Sequence, residues 1–221
     1  MKRKTAVSLS LVLLLGGCGS TEDVLDQHIA SATVREIRKA NQKDRFVSYY
    51  LQKEDGILKQ EGTCTQFSIQ GKCMWMNLRV EDIVRSVYYT DVKADDLPAK
   101  PYRHESGSYT DVSDDTYDYS LYVYGSGRIK VMLVRTAYED FICVGTLDEI
   151  ADCGEEAIAI ARSLKADRDA VIKAYSKRND VTYTTDSLEL FQTLVPEEGG
   201  IDEILIQDRS ATASPGTGEE G

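Results

Sequence analysis

Two segments in the middle of the chain alternate apolar and polar residues and are separated by one short glycine-rich turn. Residues 117–124 and 128–136 are joined by Gly-Ser-Gly at 125–127. Because successive side chains of a β-strand point to opposite sides, each segment would present one apolar face. The pattern predicts a β-hairpin, and residues 138–146 predict a third strand that extends the hairpin into an antiparallel meander.

Helices are predicted before, between and after the strands. Residues 22–43 contain helix formers without Pro or Gly, and residues 80–88 repeat apolar positions at helical spacing. A helix or helical pair is expected over 155–175, where Glu155 and Glu156 would supply the negative charge favoured at a helix N-terminus. Further short strands are expected at 46–53, 57–60, 64–70, 73–78 and 201–207. The sum predicts an α+β fold in which N-terminal, central and C-terminal helices pack on one face of an antiparallel sheet.

Two other stretches lack a regular pattern. Residues 91–116 are acidic and contain Pro98, Pro101 and Gly107, which predicts a long loop. Residues 210–221 consist mostly of small residues, Pro, Gly and Glu. That composition predicts a disordered tail.

The chain begins with a positive segment followed by a short apolar segment. Lys2, Arg3 and Lys4 precede an apolar core at 6–15, which is about half the length needed to span a bilayer. Leu-Gly-Gly-Cys follows at 15–18, and this arrangement resembles the lipobox of bacterial lipoproteins. An ordinary secretory signal and a chance apolar segment are the alternatives.

The resemblance implies an address and an anchor. Residues 1–17 would be a signal peptide that is removed, and Cys18 would carry the lipid that holds the protein on a membrane. Two or more acyl chains give stable anchoring, since each buried CH₂ contributes about 0.8 kcal/mol. Gly rather than Asp at position 19 implies, in a Gram-negative host, the outer membrane facing the periplasm. In a Gram-positive host the same anchor implies the outer face of the plasma membrane.

Length and charge limit the remaining possibilities. Residues 18–209 are long enough for a single domain with a substantial core. The formal net charge of the chain is −11, and removal of a cationic signal peptide would leave the mature protein more acidic. This charge disfavours binding to nucleic acid and to anionic lipid headgroups. A need for solubility is the simplest explanation of the acidity.

Four cysteines remain once Cys18 is assigned to the lipid. An even number of cysteines in an exported chain favours two disulfide bonds. Their spacing favours Cys64–Cys73 and Cys143–Cys153, each of which closes a loop of about ten residues. Free thiols are the alternative, and the lack of C-x₂-C or H-x₃-H spacing argues against a zinc site. The domain is therefore predicted to be disulfide-bonded.

One group of residues suggests catalysis. His104, Ser106 and Ser108 lie within five positions of each other and close to several carboxylates. A serine hydrolase needs a serine nucleophile, a histidine base and an acid that orients the histidine. No G-x-S-x-G motif accompanies them, so the sequence ranks a hydrolase below a binding role.

Four aspartates follow closely in the chain. Asp111, Asp114, Asp115 and Asp118 gather the oxygen ligands that Ca²⁺ prefers. Their spacing does not match the D-x-[DN]-x-[DN]-G order of an EF-hand loop. Solvated loop charge is the simpler explanation, and a Ca²⁺ site is the alternative.

Tyrosine is unusually frequent, with 13 residues against one tryptophan. Tyrosine packs well on the half-buried surface of a sheet, which explains most of the set. If Tyr117 and Tyr119 face the core, Tyr122 and Tyr124 face the other way. An exposed strip that includes Tyr122 and Tyr124 is then a candidate surface for binding a protein partner.

These observations predict a membrane-anchored lipoprotein of the cell envelope that acts as a protein-binding or structural and accessory component, is not an enzyme and needs no cofactor. Its expected partners are the membrane, through the lipid on Cys18, and another envelope protein. The alternative is an exported protein that binds a small ligand or Ca²⁺ through residues 91–116. An envelope hydrolase is the third hypothesis.

Overall fold

The computed structural model describes residues 21–88 and 100–176. Its helices are α1 (Thr21–Val34), α2 (Val80–Tyr88), α3 (Leu147–Ser163) and α4 (Arg168–Tyr175). Its strands are β1 (Gln42–Lys43), β2 (Val47–Tyr49), β3 (Gly56–Glu61), β4 (Cys64–Ile69), β5 (Lys72–Leu78), β6 (Arg103–Thr110), β7 (Thr116–Tyr124), β8 (Lys130–Arg135), β9 (Glu139–Gly145) and β10 (Lys165–Ala166). The predicted signal peptide at 1–17, Cys18, the predicted strand at 201–207 and the predicted tail at 210–221 lie outside the described residues.

Seven strands form one antiparallel sheet in the order β3-β4-β5-β9-β8-β7-β6. Two meanders meet at the β5–β9 pair, where Trp75 lies opposite Ile142. A second, three-stranded antiparallel sheet has the order β1-β2-β10. The predicted hairpin is present as β7 and β8, and the predicted third strand is present as β9. The α+β fold with antiparallel strands is therefore confirmed.

The large sheet has two different faces, because side chains alternate along each strand. Met132 and Val134 of β8 point into the main core, towards α1 and α3; we call this side the helix face. Val131 and Leu133 point to the other side, which we call the opposite face, and belong to a separate cluster.

The main core is formed where α1 packs along α3 and α3 packs on the sheet. Leu25 of α1 and Ile150 and Ile158 of α3 have no exposed surface. Burial of an aliphatic side chain of this size stabilises a fold by about 1.5–3 kcal/mol. No helix among the described residues is both long enough and apolar enough to cross a bilayer.

The prediction of a loop at 91–116 is wrong over residues 103–110, because this segment forms the edge strand β6. Ser and Gly in the segment suggested a loop, but it pairs with β7 over its whole length, from Arg103 opposite Val123 to Thr110 opposite Thr116. Backbone pairing therefore overrides the weak strand propensity of Gly107 and its neighbours. The part of the predicted loop at 91–99 lies outside the described residues.

Two helix boundaries also differ from the prediction. The first helix ends at Val34 rather than near residue 43, and residues 42–43 form β1 instead. The third helix begins at Leu147, eight residues before Glu155. Its start is fixed by Glu149, whose Oε2 accepts a hydrogen bond from the backbone N of Thr146 at 2.8 Å. Glu155 and Glu156 therefore lie in the middle of a helix and not at its N-terminus.

Candidate functional site

Two of the predicted disulfide cysteines lie together in the core. Cys143 of β9 and Cys153 of α3 have no exposed surface, and their Sγ atoms are 2.6 Å apart. The two side chains carry thiols and are not bonded in this structure. The geometry brings the predicted pair together, and the disulfide itself stays a prediction.

The predicted Cys64–Cys73 bond does not fit the sheet. The register of β4 and β5 places Cys64 opposite Asn77 and Cys73 opposite Ser68. The two cysteines are therefore four positions apart along the hairpin, or about 13 Å. A disulfide needs Cα atoms about 4.4–6.8 Å apart, so this predicted pairing is wrong. The turn at Gln70 and Gly71 lies much nearer Cys73 than Cys64, and spacing alone did not show this asymmetry.

The residues considered for a hydrolase share one strand without forming a triad. His104, Ser106 and Ser108 occupy alternate positions of β6 and so lie on one face. The ring of His104 stacks on Tyr122, with centroids 4.5 Å apart and planes 5° apart. Asp118 lies opposite Ser108, which is about 13 Å along the strand from His104. These positions do not place an acid where it could orient the histidine.

The four aspartates considered for Ca²⁺ do not converge either. Asp111 is 8% exposed, and its Oδ1 accepts hydrogen bonds from the backbone N of Ser113 at 2.7 Å and of Asp115 at 3.0 Å. Asp114 has a φ of 65°, a backbone conformation that aspartate tolerates better than most residues. Within the residues that the structure describes, no group of three or more His, Cys, Asp or Glu side chains could hold a metal ion. Asp111 instead closes the turn between β6 and β7.

The proposed tyrosine strip is only partly at the surface. Tyr122 and Tyr124 lie on the opposite face, as the alternation predicts. Tyr124 is 1% exposed and packs with Val131, Leu133 and Ile142, so the prediction of an exposed position is wrong for this residue. Tyr122 is half-buried and packs against the same cluster. A role of Tyr122 in binding a partner stays a prediction.

A cavity of about 340 Å³ lies between α3, the segment after α1 and the segment after β2. This volume is within the range of small-molecule sites, about 300–1,000 Å³. The charged residues of its lining are three arginines, one buried glutamate and one exposed glutamate: Arg35, Arg38, Arg162, Glu156 and Glu36. None of the described candidate residues identified from the sequence lines this cavity.

Glu156 is the buried carboxylate of the cavity, at 3% exposed. Its Oε2 accepts a hydrogen bond from Nε2 of Gln52 at 2.6 Å and lies 3.7 Å from Nη1 of Arg35. Its Oε1 has no hydrogen-bond partner among the described residues. Burial raises the pKa of Glu156, and the hydrogen bond from Gln52 partly opposes this rise. Only one of the two carboxylate oxygens of Glu156 thus has a hydrogen-bond partner among the described residues.

Arg162 is the buried cation of the cavity, at 7% exposed. Its Nη1 donates to the carbonyl oxygens of Ala32 and Arg35 at 2.6 and 2.5 Å, and its Nε donates to that of Thr110 at 3.2 Å. These bonds fix the end of α1 against α3. No carboxylate of the described residues forms an ion pair with Arg162. Burial, together with the nearby charge of Arg35, lowers the pKa of Arg162.

The other two arginines are more exposed and are held by neighbours. Arg35 forms an ion pair with Glu155. Arg38 donates from Nη1 to the hydroxyl of Tyr50 at 2.6 Å, and its guanidinium carbon lies 5.3 Å from the centroid of the Tyr50 ring. Both contacts orient a guanidinium group beside the cavity before any ligand arrives.

The cavity was missed because its residues are far apart in the sequence. Residues 35–38, Tyr50, Gln52 and Glu156 meet only when β2 and α1 pack on α3. One signal was present in the chain: Glu156 lies beside Ala157, within the apolar stripe of its helix. A carboxylate at a core position is uncommon unless it is paired or functional.

Comparisons with known proteins assign no family to this geometry. No protein-family model matches the chain, and the comparisons with curated proteins and with solved structures gave no match.

Proposed function

We propose that this chain is a membrane-anchored lipoprotein of the cell envelope, whose α+β domain binds another envelope protein and does not act as an enzyme. The lipid on Cys18 is the anchor. The location is the outer membrane facing the periplasm, or the outer face of the plasma membrane in a Gram-positive host. The observation that carries the proposal is the start of α1 at Thr21, three residues after Cys18.

The helix that follows the anchor is part of the folded body. Leu25 and Ala32 of α1 have no exposed surface, Ile29 is 4% exposed, and α1 packs along α3. The chain between Cys18 and Thr21 spans at most about 10 Å, since an extended residue covers roughly 3.5 Å. A lipid on Cys18 would therefore hold the domain close to the bilayer. Proteins at the same membrane surface are then its natural partners.

Labelling with radioactive palmitate tests the anchor. We expect the wild-type protein to take up label and to fractionate with membranes, and the Cys18→Ser variant to take up none. Because Cys18→Ser would also retain the apolar signal, a second variant replaces residues 1–18 with a cleavable secretory signal. We expect this variant to be released as a soluble protein. An unlabelled wild-type protein, or a second variant that stays on membranes, contradicts the proposal.

A photo-crosslinking amino acid at position 122 tests the protein-binding role. We expect one discrete crosslinked product from Tyr122 in the anchored protein, and loss of that product in the soluble variant. The same amino acid at Leu58, which is 59% exposed on the edge strand β3, measures random collisions. Equal crosslinking at the two positions, or none at position 122, contradicts the proposal.

Binding of a small ligand is the second candidate function, and the cavity beside Glu156 is the observation that favours it. The sequence predicts this role for residues 91–116, and none of the described residues among them lines the cavity. If the chain binds a small molecule, the segment after α1, the segment after β2 and α3 therefore supply the contacts.

A further inference from the structure

The cavity contains a buried carboxylate and a buried guanidinium group, and neither is fully compensated by hydrogen bonds or opposite charge from the described residues. Glu156 has one oxygen without a hydrogen-bond partner among the described residues, although its side chain is almost fully buried. Arg162 is also buried and donates only to backbone carbonyls in its described hydrogen bonds. A buried carboxylate oxygen without a donor is costly, and a buried guanidinium without a counter-ion is costly as well. The lining of the cavity therefore leaves both an acceptor and a cation incompletely compensated.

We infer that this cavity binds a small zwitterion, namely a free amino acid or a short peptide, whose ammonium group is placed near Glu156 and whose carboxylate is placed among Arg35, Arg38 and Arg162. This inference rests on the second candidate function proposed above. An ammonium group offers the N–H donors that a carboxylate oxygen requires, and a guanidinium presents paired N–H donors that match a carboxylate.

The charges of the cavity favour a zwitterion over a simple anion. Three guanidinium groups alone would suit phosphate or any carboxylate. Glu156 and the exposed Glu36 would repel such an anion, because both carboxylates line the same cavity as the guanidinium groups. A simple cation would be repelled as well, because three guanidinium groups of like charge line the cavity. Only a ligand that carries both signs complements the whole lining.

Arg38 and Tyr50 supply a preformed edge to the site. The Tyr50 hydroxyl accepts from Arg38, and the Tyr50 ring lies beneath the guanidinium. Orientation of a long side chain before binding reduces the entropy that the complex would otherwise lose. Arg38 is exposed, so its removal should disturb the ligand far more than the fold.

Thermal unfolding of the full mature protein in detergent, with single additives, tests the inference. The probes are the twenty amino acids and alanylalanine; phosphate and ethylamine represent the anion and the ammonium alone. At tenfold excess over its dissociation constant, a bound zwitterion should raise Tm by about 3 °C. We expect this rise in Tm with one or more of the zwitterions, and with neither phosphate nor ethylamine. No rise with any zwitterion, or an equal rise with phosphate, overturns the inference.

Two variants test which residues hold the ligand. Arg38→Gln should weaken binding about tenfold and leave the unliganded Tm unchanged, because Arg38 is at the surface. Glu156→Gln should also weaken binding about tenfold, yet leave the unliganded Tm equal or higher, because it removes a buried charge. A variant that merely damaged the fold would lower both the binding affinity and the Tm measured without ligand. Unchanged affinity in both variants overturns the inference.

A matched control separates the site from a general charge effect. Arg85→Gln removes a positive charge from α2, where Arg85 forms an ion pair with Glu81 and does not line the cavity. We expect unchanged affinity in this variant, and weakening equal to that of Arg38→Gln would overturn the inference. Palmitate labelling of Cys18 is scored independently, so failure of the anchor and failure of the ligand site are distinguishable.

Discussion

The sulfur atoms of Cys143 and Cys153 lie 2.6 Å apart inside the core, where strand β9 of the large sheet faces the helix α3 that covers it. The neighbouring Cys153 thiol, together with burial, raises the pKa of Cys143 above its ordinary value. The Cys143 thiol is therefore protonated and unreactive towards alkylating agents in the native reduced state. Their position makes them the pair most readily oxidised within the fold.

In the exported protein we expect Cys143 and Cys153 to form a disulfide bond. Closing a loop of about ten residues is worth about 2.5–3 kcal/mol in the chain-entropy model. Urea unfolding with and without reductant should differ by about that amount, and Cys153→Ala should abolish the difference. Cys64→Ala is the matched control and should retain it. If both Cys143 and Cys153 are alkylated after unfolding without reductant, the prediction is wrong.

Glu139 makes the stability of the domain depend on pH. The carboxyl group is 1% exposed, and its Oε2 accepts a hydrogen bond from Thr136 Oγ1 at 3.2 Å. Burial raises the pKa of Glu139 from 4.5 to about 8, an effect that the nearby Arg79 partly opposes. Between these values the folded protein retains a proton that the unfolded chain has lost.

Stability should therefore fall as pH rises from about 4.5 to about 8 and level off above. Each pH unit in this window costs at most about 1.4 kcal/mol of unfolding free energy. Glu139→Gln should reduce this slope and stabilise the protein at neutral pH. The measurement is urea unfolding at pH 5, 6.5 and 8, with the exposed Glu61→Gln as a control that keeps the slope. A wild-type protein that gains stability from pH 5 to pH 8 contradicts the prediction.

Local sequence patterns predicted most of the strands of the large sheet, because alternation and turn residues depend only on neighbouring positions in the chain. The alternation of β7 and β8 and the Gly-Ser-Gly turn between them were sufficient to predict the hairpin. The pairing of Cys64 with Cys73 failed because strand register depends on where the turn falls, and not on how many residues separate two cysteines. The edge strand β6 was missed because its partner β7, and not its own composition, makes it a strand.

The cavity could not be predicted for a related reason. Placing the helix start at Glu155 gave Glu156 a sufficient explanation as a helix-end charge, and so hid its burial. The actual start at Leu147 moves Glu156 onto the packed side of α3. Its neighbours Gln52 and Arg35 come from segments more than 100 residues away in the chain. Contacts of this kind depend on tertiary packing, which no local pattern encodes.

The start of α3 depends on Glu149. Its carboxylate accepts from the backbone N of Thr146 at 2.8 Å and from Nζ of Lys72 at 2.5 Å. The contact with Lys72, followed by that with Thr146, lowers the pKa of Glu149 to about 2. A carboxylate with a lowered pKa stabilises the fold above its unfolded value of 4.5, and this contribution is lost as pH falls towards 2.

Glu149→Ala should lower the free energy of unfolding by about 1 kcal/mol at neutral pH, because it removes a helix-capping hydrogen bond. Glu149→Gln retains the bond to Thr146 and loses only the charge, so its cost should be about 0.2–1 kcal/mol. Urea unfolding at pH 7 and pH 3 checks both values, and the difference between Glu149→Ala and wild type should shrink at pH 3. An unchanged difference at the lower pH would show that charge contributes nothing here.

Gly154 lets α1 approach α3 closely over the sheet. A Cβ atom at position 154 would lie 3.0 Å from Ile29 Cδ1, 3.2 Å from Met132 Sδ and 3.6 Å from Leu25 Cδ1. These atoms are the ends of flexible side chains, so Gly154→Ala should be nearly neutral. Its gain in helix propensity, about 0.5–1 kcal/mol, would offset the crowding. With a side chain larger than that of alanine, the crowding would exceed the gain in helix propensity.

Gly154→Val should destabilise the protein by about 1–3 kcal/mol, because the added carbons overfill the contact between α1 and the core. Loosening α1 also exposes the segment next to the proposed anchor, so protease cleavage within 21–34 should become faster. The matched control is Gly56→Val, since a Cβ at Gly56 has no neighbour within 4 Å and should change stability little. If Gly154→Val were as stable as the wild-type protein, α1 would not pack on α3 as the structure has it. The structural support for a domain held close to the membrane would then be lost as well.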